Sequence, residues 1–386
     1  LLSEPTLPAG YGRSVSADPA TSIVTRAPLA PYTTLGLGGP ADDLVIAHDE
    51  QALIAAVDSA DAAGVPVLIL GGGSNVVLAD EGFAGRAILV RTAGVQLERA
   101  DGTVRVTVAA GEEWDDLVCR TLDAGLAGLE CLSGIPGRSG GAPIQNVGAY
   151  GQEVAETCLE VRVWDRKDRA VRALPADACG FAYRTSVFKQ HPGRYVVLSV
   201  KFGLGPSDLS APIRYAQLAE ALDVSLGERV PLQLVRDTVL SLRRSKGMVL
   251  DPDDPDSRSV GSFFLNPVLE AADYAELTTR LGRTPPHWPA GSPDSGQVKV
   301  SAAWLVEAGG FGRGYGEGPV GISGKHALAL IHRGGGRTAD LLALADEIVK
   351  GVQRATGVTL HPEARIIPHQ VELGRPSTEK YPANDA

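Results

Sequence analysis

Apolar residues recur at helical spacing through DEQALIAAVDSADAAG at 49–64, then give way to the apolar run VPVLIL at 65–70. That change predicts a helix leading into a strand. A GGGSN turn follows at 71–75. The strand-like ILVRT at 88–92 and the alternating TVRVTVAAG at 103–111 predict a sheet with one buried face, and EEWDDLVCRTLDAG at 112–125 predicts a short amphipathic helix. Strand character returns in TCLEVRVWDR at 157–166 and RYVVLSVKFGL at 194–204. Within 226–246 the reading is helical after Pro231, where LQLVRDTVLSLRRSK sets apolar and basic residues at the helix period, until DPDDPDS at 251–257 interrupts it. Further on come a turn-rich stretch at 282–296, a short helix around SAAWLVEAG, a helix over 338–350 and the apolar HPEARII at 361–367.

This order predicts a mixed α+β chain with no repeat of solenoid length. Its 386 residues suit two to three domains. The expected division is a flexible leader at 1–24, subdomains at 25–90 and 91–225, a third domain at 226–350, a return segment at 351–368 and a flexible tail at 369–386. A content of 44% apolar and 21% charged residues excludes wholesale disorder and a membrane bundle. The formal charge of −10 favours solubility and speaks against a nucleic-acid scaffold or binding to an anionic membrane, yet leaves room for a local basic pocket. Four cysteines without a CxxC pair and seven histidines without HExxH predict reduced thiols and no structural metal. With no apolar run long enough to span a bilayer and no signal-peptide pattern, a cytoplasmic location and no membrane insertion are expected.

The 46 glycines and 26 prolines show no collagen period, so their clustering matters more than their number. One group comprises PYTTLGLGGPA at 31–41 with GGGSN, and a second is SGIPGRSGGAPIQNVGAYG at 133–151. Glycine removes the Cβ that would keep backbone N–H groups away from a pyrophosphate, and Ser74, Asn75, Gln145, Asn146 and Tyr150 add hydrogen-bonding side chains. Both clusters are open to two readings, a cofactor cradle or a set of tight turns. Neither is GxGxxG or GxxxxGK[ST], so a Rossmann or P-loop assignment is excluded.

Three polar segments carry candidate chemistry: FAYRTSVFK at 181–189, GSFFLNP at 261–267 and HPEAR at 361–365. Arg184 has the fork that recognises a carboxylate, Ser262 a transferable proton, and Glu363 a carboxyl group able to share a proton or orient water. An ion pair, a helix cap and an exposed glutamate are the plain alternatives. No GxSxG elbow surrounds Ser262. Arg243, Arg244 and Lys246 in LRRSK suit diphosphate oxygens or form a solvated helix face. Tyr183, Phe188, Tyr215, Phe263 and Phe264 line a substrate pocket or fill a core.

Taken in order, PYTTLGLGGPA, GGGSN, GAPIQNVGAYG, YRTSVFK, GSFFLNP and HPE resemble the UDP-N-acetylenolpyruvoylglucosamine reductase (MurB) family, type I-like, over about 25–368. The resemblance implies an α+β, three-domain flavoenzyme with a vanillyl-alcohol-oxidase-like FAD-binding fold and a C-terminal substrate-binding domain. It implies noncovalent FAD contacted by Tyr32, Thr33, Thr34, Gly36, Gly71, Gly72, Gly73, Ser74, Asn75, Gly134, Ile135, Pro136, Gly137, Gln145, Asn146, Gly148, Ala149, Tyr150 and Gly151. NADPH is the implied reducing cosubstrate and UDP-N-acetylglucosamine enolpyruvate the implied substrate. Hydride would pass from the flavin to substrate C3, with protonation at C2 by Ser262.

By the same resemblance Arg184 binds and polarises the enolpyruvyl carboxylate, Glu363 is the active-site glutamate, Tyr215 and Asn266 contact substrate, and Lys246 meets the diphosphate. A monomer is implied. Leu265 departs from the lysine-bearing GSFFKNP form, so no charged role transfers to that position. A flavin oxidase or dehydrogenase acting on another alcohol or amine, and an inactive flavin-binding or regulatory protein, are the competing readings.

Overall fold

Asp49 caps the first helix, Glu50–Ala62, by accepting the Ala52 N–H at 2.8 Å, a partner that an uncapped helix start lacks. The helix buries Ala52, Leu53, Ala56, Val57 and Ala60 and leads from strand Pro40–Ala47 to strand Val67–Leu70. Strand Phe83–Val90 pairs in parallel with both. The computed structural model describes residues 13–14, 23–100, 102–290 and 295–368. Most of the expected leader and the whole expected tail lie outside them. Two compact units emerge: one takes in the chain up to Thr34, Gly39–Ser74 and Glu81–Asp251; the other takes in Leu35–Gly38, Asn75–Asp80 and the chain from Pro252 onward.

In the first unit, the sheet order is Arg13–Ser14, Ile23–Pro28, Pro40–Ala47, Phe83–Val90, Val67–Leu70. A second, antiparallel sheet runs Ala170–Pro175, Cys158–Asp165, Tyr195–Pro206, Thr103–Ala109, Val95–Ala100. The alternation read in TVRVTV puts Val104, Val106 and Val108 inside. They join a core that includes Leu53, Ile88, Leu117 and Phe202. Trp114, from helix Trp114–Asp123, meets Phe202 edge-on at 5.9 Å and donates Nε1–H to the Leu132 carbonyl at 3.0 Å, so its one polar atom is satisfied inside the core.

The helix read within 226–246 spans Leu232–Ser245. Pro231 stands at its N-cap, and Lys246 at its C-cap lies just beyond the regular turns. This helix and Ala216–Leu222 bury Leu218, Ala219, Val235 and Val239 against Cys131 and Ile213. Segment 226–251 thus groups with the first unit, whereas the expected division began a third domain at 226.

The second unit holds the hairpin Val320–Ile322 with Leu330–His332, a three-stranded sheet of Val268–Leu269, Val298–Val300 and His287–Pro289, and the long helix Thr338–Thr356. The expected helix at 338–350 continues until Gly357, which takes φ +81° and ends it. HPEARII contributes strand Arg365–Ile367, paired in parallel with Val76–Leu78. The sequence reading places no helix at Ala271–Leu281, although Tyr274, Leu277 and Leu281 recur at helical spacing and pack on the core of this unit.

Candidate active site

Within the first unit the two glycine clusters meet. A Cβ built on Gly72 would lie 2.7 Å from the Gly137 Cα, and one on Gly137 would lie 2.8 Å from the Ser74 Oγ, so side chains at either position would force the loops apart. Ser74 Oγ donates to the Pro136 carbonyl at 2.9 Å, and the Thr34 N–H donates to the Gly73 carbonyl at 3.2 Å. Three of the segments assigned to the flavin are therefore brought together: 32–34, 71–74 and 134–137.

The carboxylate-binding candidate joins the same loop system. Arg184 Nη2 donates to the Gly148 carbonyl at 2.9 Å and Nη1 to the Asn146 carbonyl at 3.4 Å, and its guanidinium lies 5.4 Å from the Tyr183 ring centre. Asn146, Tyr150 and Arg184 have φ of +46°, +49° and +52°. A left-handed backbone is strained for Tyr and Arg, and such strain gathers at functional sites. The Asn146 carboxamide serves the fold: Nδ2 donates to Glu153 at 2.8 Å and to the Ala182 carbonyl at 3.2 Å, while Oδ1 accepts the Ala155 N–H.

The Tyr150 and Tyr215 rings stand edge to face at 5.5 Å, and Lys246 Nζ lies 5.5 Å from the Tyr150 ring centre. Gln217 Oε1 accepts a hydrogen bond from Lys246 at 2.6 Å. Burial, then the nearby Arg243 cation, holds the Lys246 ammonium below its usual 10.5. Burial raises the Tyr150 phenol, with Arg243 opposing it. An anionic ligand group would relieve the crowding of the two cations.

In the second unit, GSFFLNP and HPE lie side by side although about a hundred residues separate them. The Glu363 N–H donates to the Phe263 carbonyl at 2.8 Å, the Leu265 N–H donates to the His361 carbonyl at 2.9 Å, and Phe264 forms a β-bridge with Pro362. Phe263 and Phe264 are buried and touch edge to face at 5.1 Å, which anchors half-buried Ser262 and Asn266 on either side. Asn266 Oδ1 accepts the Ala302 N–H at 2.9 Å, at the start of helix Ala302–Ala308. All three phenylalanines read as either pocket or core, Phe188, Phe263 and Phe264, are core.

Of the supporting residues, Asp115, Arg236 and Arg91 escape the sequence reading, and Arg243 appears there only as a diphosphate candidate or part of a solvated helix face. Asp115 accepts the Gly134 N–H at 2.6 Å and both Arg236 nitrogens at 2.7 and 2.8 Å, while Arg243 Nε donates to the Gly134 carbonyl at 3.2 Å. Thus a carboxylate and a guanidinium hold the two polar groups of one flavin-loop residue. Arg91 donates to the Gly71 carbonyl at 3.0 Å. Asp115, Arg236 and Arg243 look like ordinary charged positions of amphipathic helices and Arg91 like the end of a strand, so no local signal marks their partners.

Ser139 provides a test of whether FAD suits these loops. Its side chain is fully buried within the second glycine cluster, and its Oγ has no hydrogen-bond partner among the described residues. A buried hydroxyl left so is costly, whereas a polar cofactor supplies a partner. With this hydroxyl set in loops whose close approach needs glycine at 72 and 137, the residues fit the group. Among the described residues no cluster of three His, Cys, Asp or Glu side chains is arranged to hold a metal, and no helix is long and apolar enough to cross a membrane.

Residues 41–173 match the model of an FAD binding domain, and residues 253–367 match that of the UDP-N-acetylenolpyruvoylglucosamine reductase C-terminal domain. UDP-N-acetylenolpyruvoylglucosamine reductase from Thermobifida fusca (strain YX) is 57% identical over 347 residues, covering 88% of this chain and 96% of that protein. The enzyme of the same name from Streptomyces avermitilis is 54% identical over 341 residues, covering 86% and 92%. Among solved structures, UDP-N-acetylenolpyruvylglucosamine reductase (MurB) from Thermus caldophilus is similar at 26% identity with a TM-score of 0.61, covering 90% of this chain and 99% of that one.

Proposed function

The chain belongs to the UDP-N-acetylenolpyruvoylglucosamine reductase family, and from that premise we propose how its own residues carry the reaction. It is an FAD- and NADPH-dependent reductase of peptidoglycan precursor synthesis, converting UDP-N-acetylglucosamine enolpyruvate to UDP-N-acetylmuramate. FAD, when bound in these loops, would supply the hydride chemistry that links NADPH to the enolpyruvyl group. Loops 32–36, 71–75, 134–137 and 145–151 hold that cofactor.

Arg184 receives the enolpyruvyl carboxylate and stabilises the negative charge that develops as C3 is reduced. Ser262 gives its hydroxyl proton to C2, and Glu363 supports the surrounding hydrogen bonds and charge. Lys246 takes the diphosphate; Tyr215 and Asn266 contact the rest of the substrate. The pairing of GSFFLNP with HPE supports this reading, because it brings the segments that carry Ser262 and Glu363 side by side. The serine hydroxyl is a poor acid in water, so its use requires the developing charge and its neighbours to make the transfer favourable.

Ser262→Ala tests the assignment. Under anaerobic conditions, NADPH should bleach the variant's flavin at a rate within a few fold of the parent. Substrate-dependent recovery of the oxidised spectrum should slow by about 10²-fold or more, the range of a lost general acid. Equal slowing of both half-reactions with FAD fully bound would remove Ser262 from its role. The reading extends to a monomer working in the cytoplasm, where NADPH and UDP-linked sugars are available, and light scattering of the purified protein tests the monomer.

A further inference from the structure

The stretch 332–338, HRGGGRT, has no part in the scheme above. It runs from the end of strand Leu330–His332 to the first residue of helix Thr338–Thr356. His332 is 8% exposed. Its Nδ1 lies 2.9 Å from the Leu35 carbonyl oxygen, and its Nε2 accepts the Gly336 N–H at 3.1 Å. A carbonyl has no proton to give and an amide N–H has no lone pair to offer. Both contacts therefore hold only for one neutral tautomer, with Nδ1–H donating and Nε2 accepting.

Six residues later the same stretch grips a second segment. Thr338 Oγ1 donates to the Leu78 carbonyl at 2.7 Å, and the Asp80 carboxylate accepts the Thr338 and Ala339 N–H groups at 2.8 and 2.9 Å. Segments 35–38 and 75–80 are themselves packed closely, since a Cβ on Gly38 would lie 2.8 Å from the Leu78 Cβ. One glycine-rich turn thus fastens the continuations of two flavin loops. Its strand also borders the chain leading to Ser262: the His332 N–H donates to the Arg258 carbonyl at 3.0 Å, and Ile331 bridges to Ser259.

The Leu35 carbonyl and the Gly36 N–H belong to one planar peptide. Fastening the oxygen fixes the direction of the N–H on the opposite side. Gly36 takes φ +65°, a conformation that glycine adopts without penalty and that sets the following chain direction. We propose that His332 is a positioning residue for flavin binding, aiming the Gly36 N–H through its Nδ1–H bond to Leu35. This rests on the reading that Gly36 contacts FAD.

The test compares His332→Asn with His332→Leu, side chains of similar shape of which only asparagine can donate to the Leu35 carbonyl. Apoprotein is titrated with FAD by fluorescence quenching, and the visible spectrum of bound flavin is recorded. The asparagine variant should bind FAD within about threefold of the parent with an unchanged spectrum, and the leucine variant should bind about tenfold or more weakly, the scale of a buried carbonyl left unsatisfied. If the leucine variant does not fold, His332→Asp replaces it, being matched to asparagine in shape but without the donor. Equal FAD affinity of the donor and non-donor variants overturns the inference. Gly36→Val separates the two readings: weakened FAD binding there with an unaffected leucine or aspartate variant rejects His332 alone, whereas unchanged binding rejects the flavin role of Gly36 and the inference with it.

Discussion

Arg184 combines the side chain proposed to bind the substrate carboxylate with a backbone that its residue type disfavours, φ +52°. Glycine would relieve the strain and remove the guanidinium. Arg184→Gly should therefore melt close to the parent temperature, within about 1 kcal/mol, the relieved strain offsetting the lost bonds to Gly148 and Asn146, yet lose about 10²-fold or more in substrate-dependent flavin reoxidation. Calorimetry with stopped-flow absorbance checks both halves; a variant that is destabilised and still turns over would refute the assignment. Lys246 makes a pH prediction. Its folded-state pKa is depressed, first by burial and then by Arg243, so the ammonium is lost at a pH below the ordinary 10.5. The KM for the UDP-sugar should rise with pH through that lowered value, because the neutral amine no longer attracts diphosphate. Lys246→Arg, charged throughout, should remove this rise. These residue types could be picked from the chain as chemically able, but the left-handed turns at Tyr150 and Arg184 could not, since neither residue ordinarily signals positive φ.

At the scale of elements, helix Leu232–Ser245 shows how a support differs from a motif. Arg236 and Arg243 leave the same helix to reach Asp115 and Gly134, more than a hundred residues earlier. Burial would raise the Asp115 carboxyl, but the Arg236 hydrogen bonds, the Gly134 N–H and the two cations together hold it below its ordinary 3.8. A carboxyl depressed in the folded state contributes stability at pH above 3.8 and loses it as pH falls through the lower folded value. Asp115→Asn should cost about 1 kcal/mol at pH 7, weaken FAD severalfold, and show less loss of stability than the parent on acidification to that range. Urea titrations at pH 7 and at acid pH measure the difference, and identical pH dependence would count against the clamp. The helix itself was legible from its period and Pro231. Its partners were not, because an Asp in the first turn of one helix and an Arg in another are equally suited to solvent until the fold sets them 2.7 Å apart. Helix Ala271–Leu281 marks the converse limit: Tyr274, Leu277 and Leu281 recur at helical spacing, but only Leu277 is fully buried, so the stripe is too short to stand out.

For the whole molecule, FAD binding should couple to unfolding of the chain. Addition of FAD to apoprotein at about one hundred times its dissociation constant should contribute about 2.7 kcal/mol and raise the melting midpoint by several degrees. A midpoint indifferent to FAD would contradict cofactor binding by the folded chain. The sequence by itself determined the kinds of elements, the two glycine-rich loops, the presence of chemically able side chains at Arg184, Ser262 and Glu363, and the ordered motifs that identify the family. Those are properties of short stretches, set by side-chain spacing, Cβ sterics and the chemistry of single groups. Tertiary structure alone decided that GSFFLNP would lie beside HPE, that 35–38 and 75–80 would join the unit formed by the chain after 252, and that a histidine at 332 would hold the peptide between Leu35 and Gly36. Such pairings depend on burying apolar surface and satisfying backbone groups across hundreds of residues, and no local pattern encodes which distant partner supplies the missing donor or acceptor.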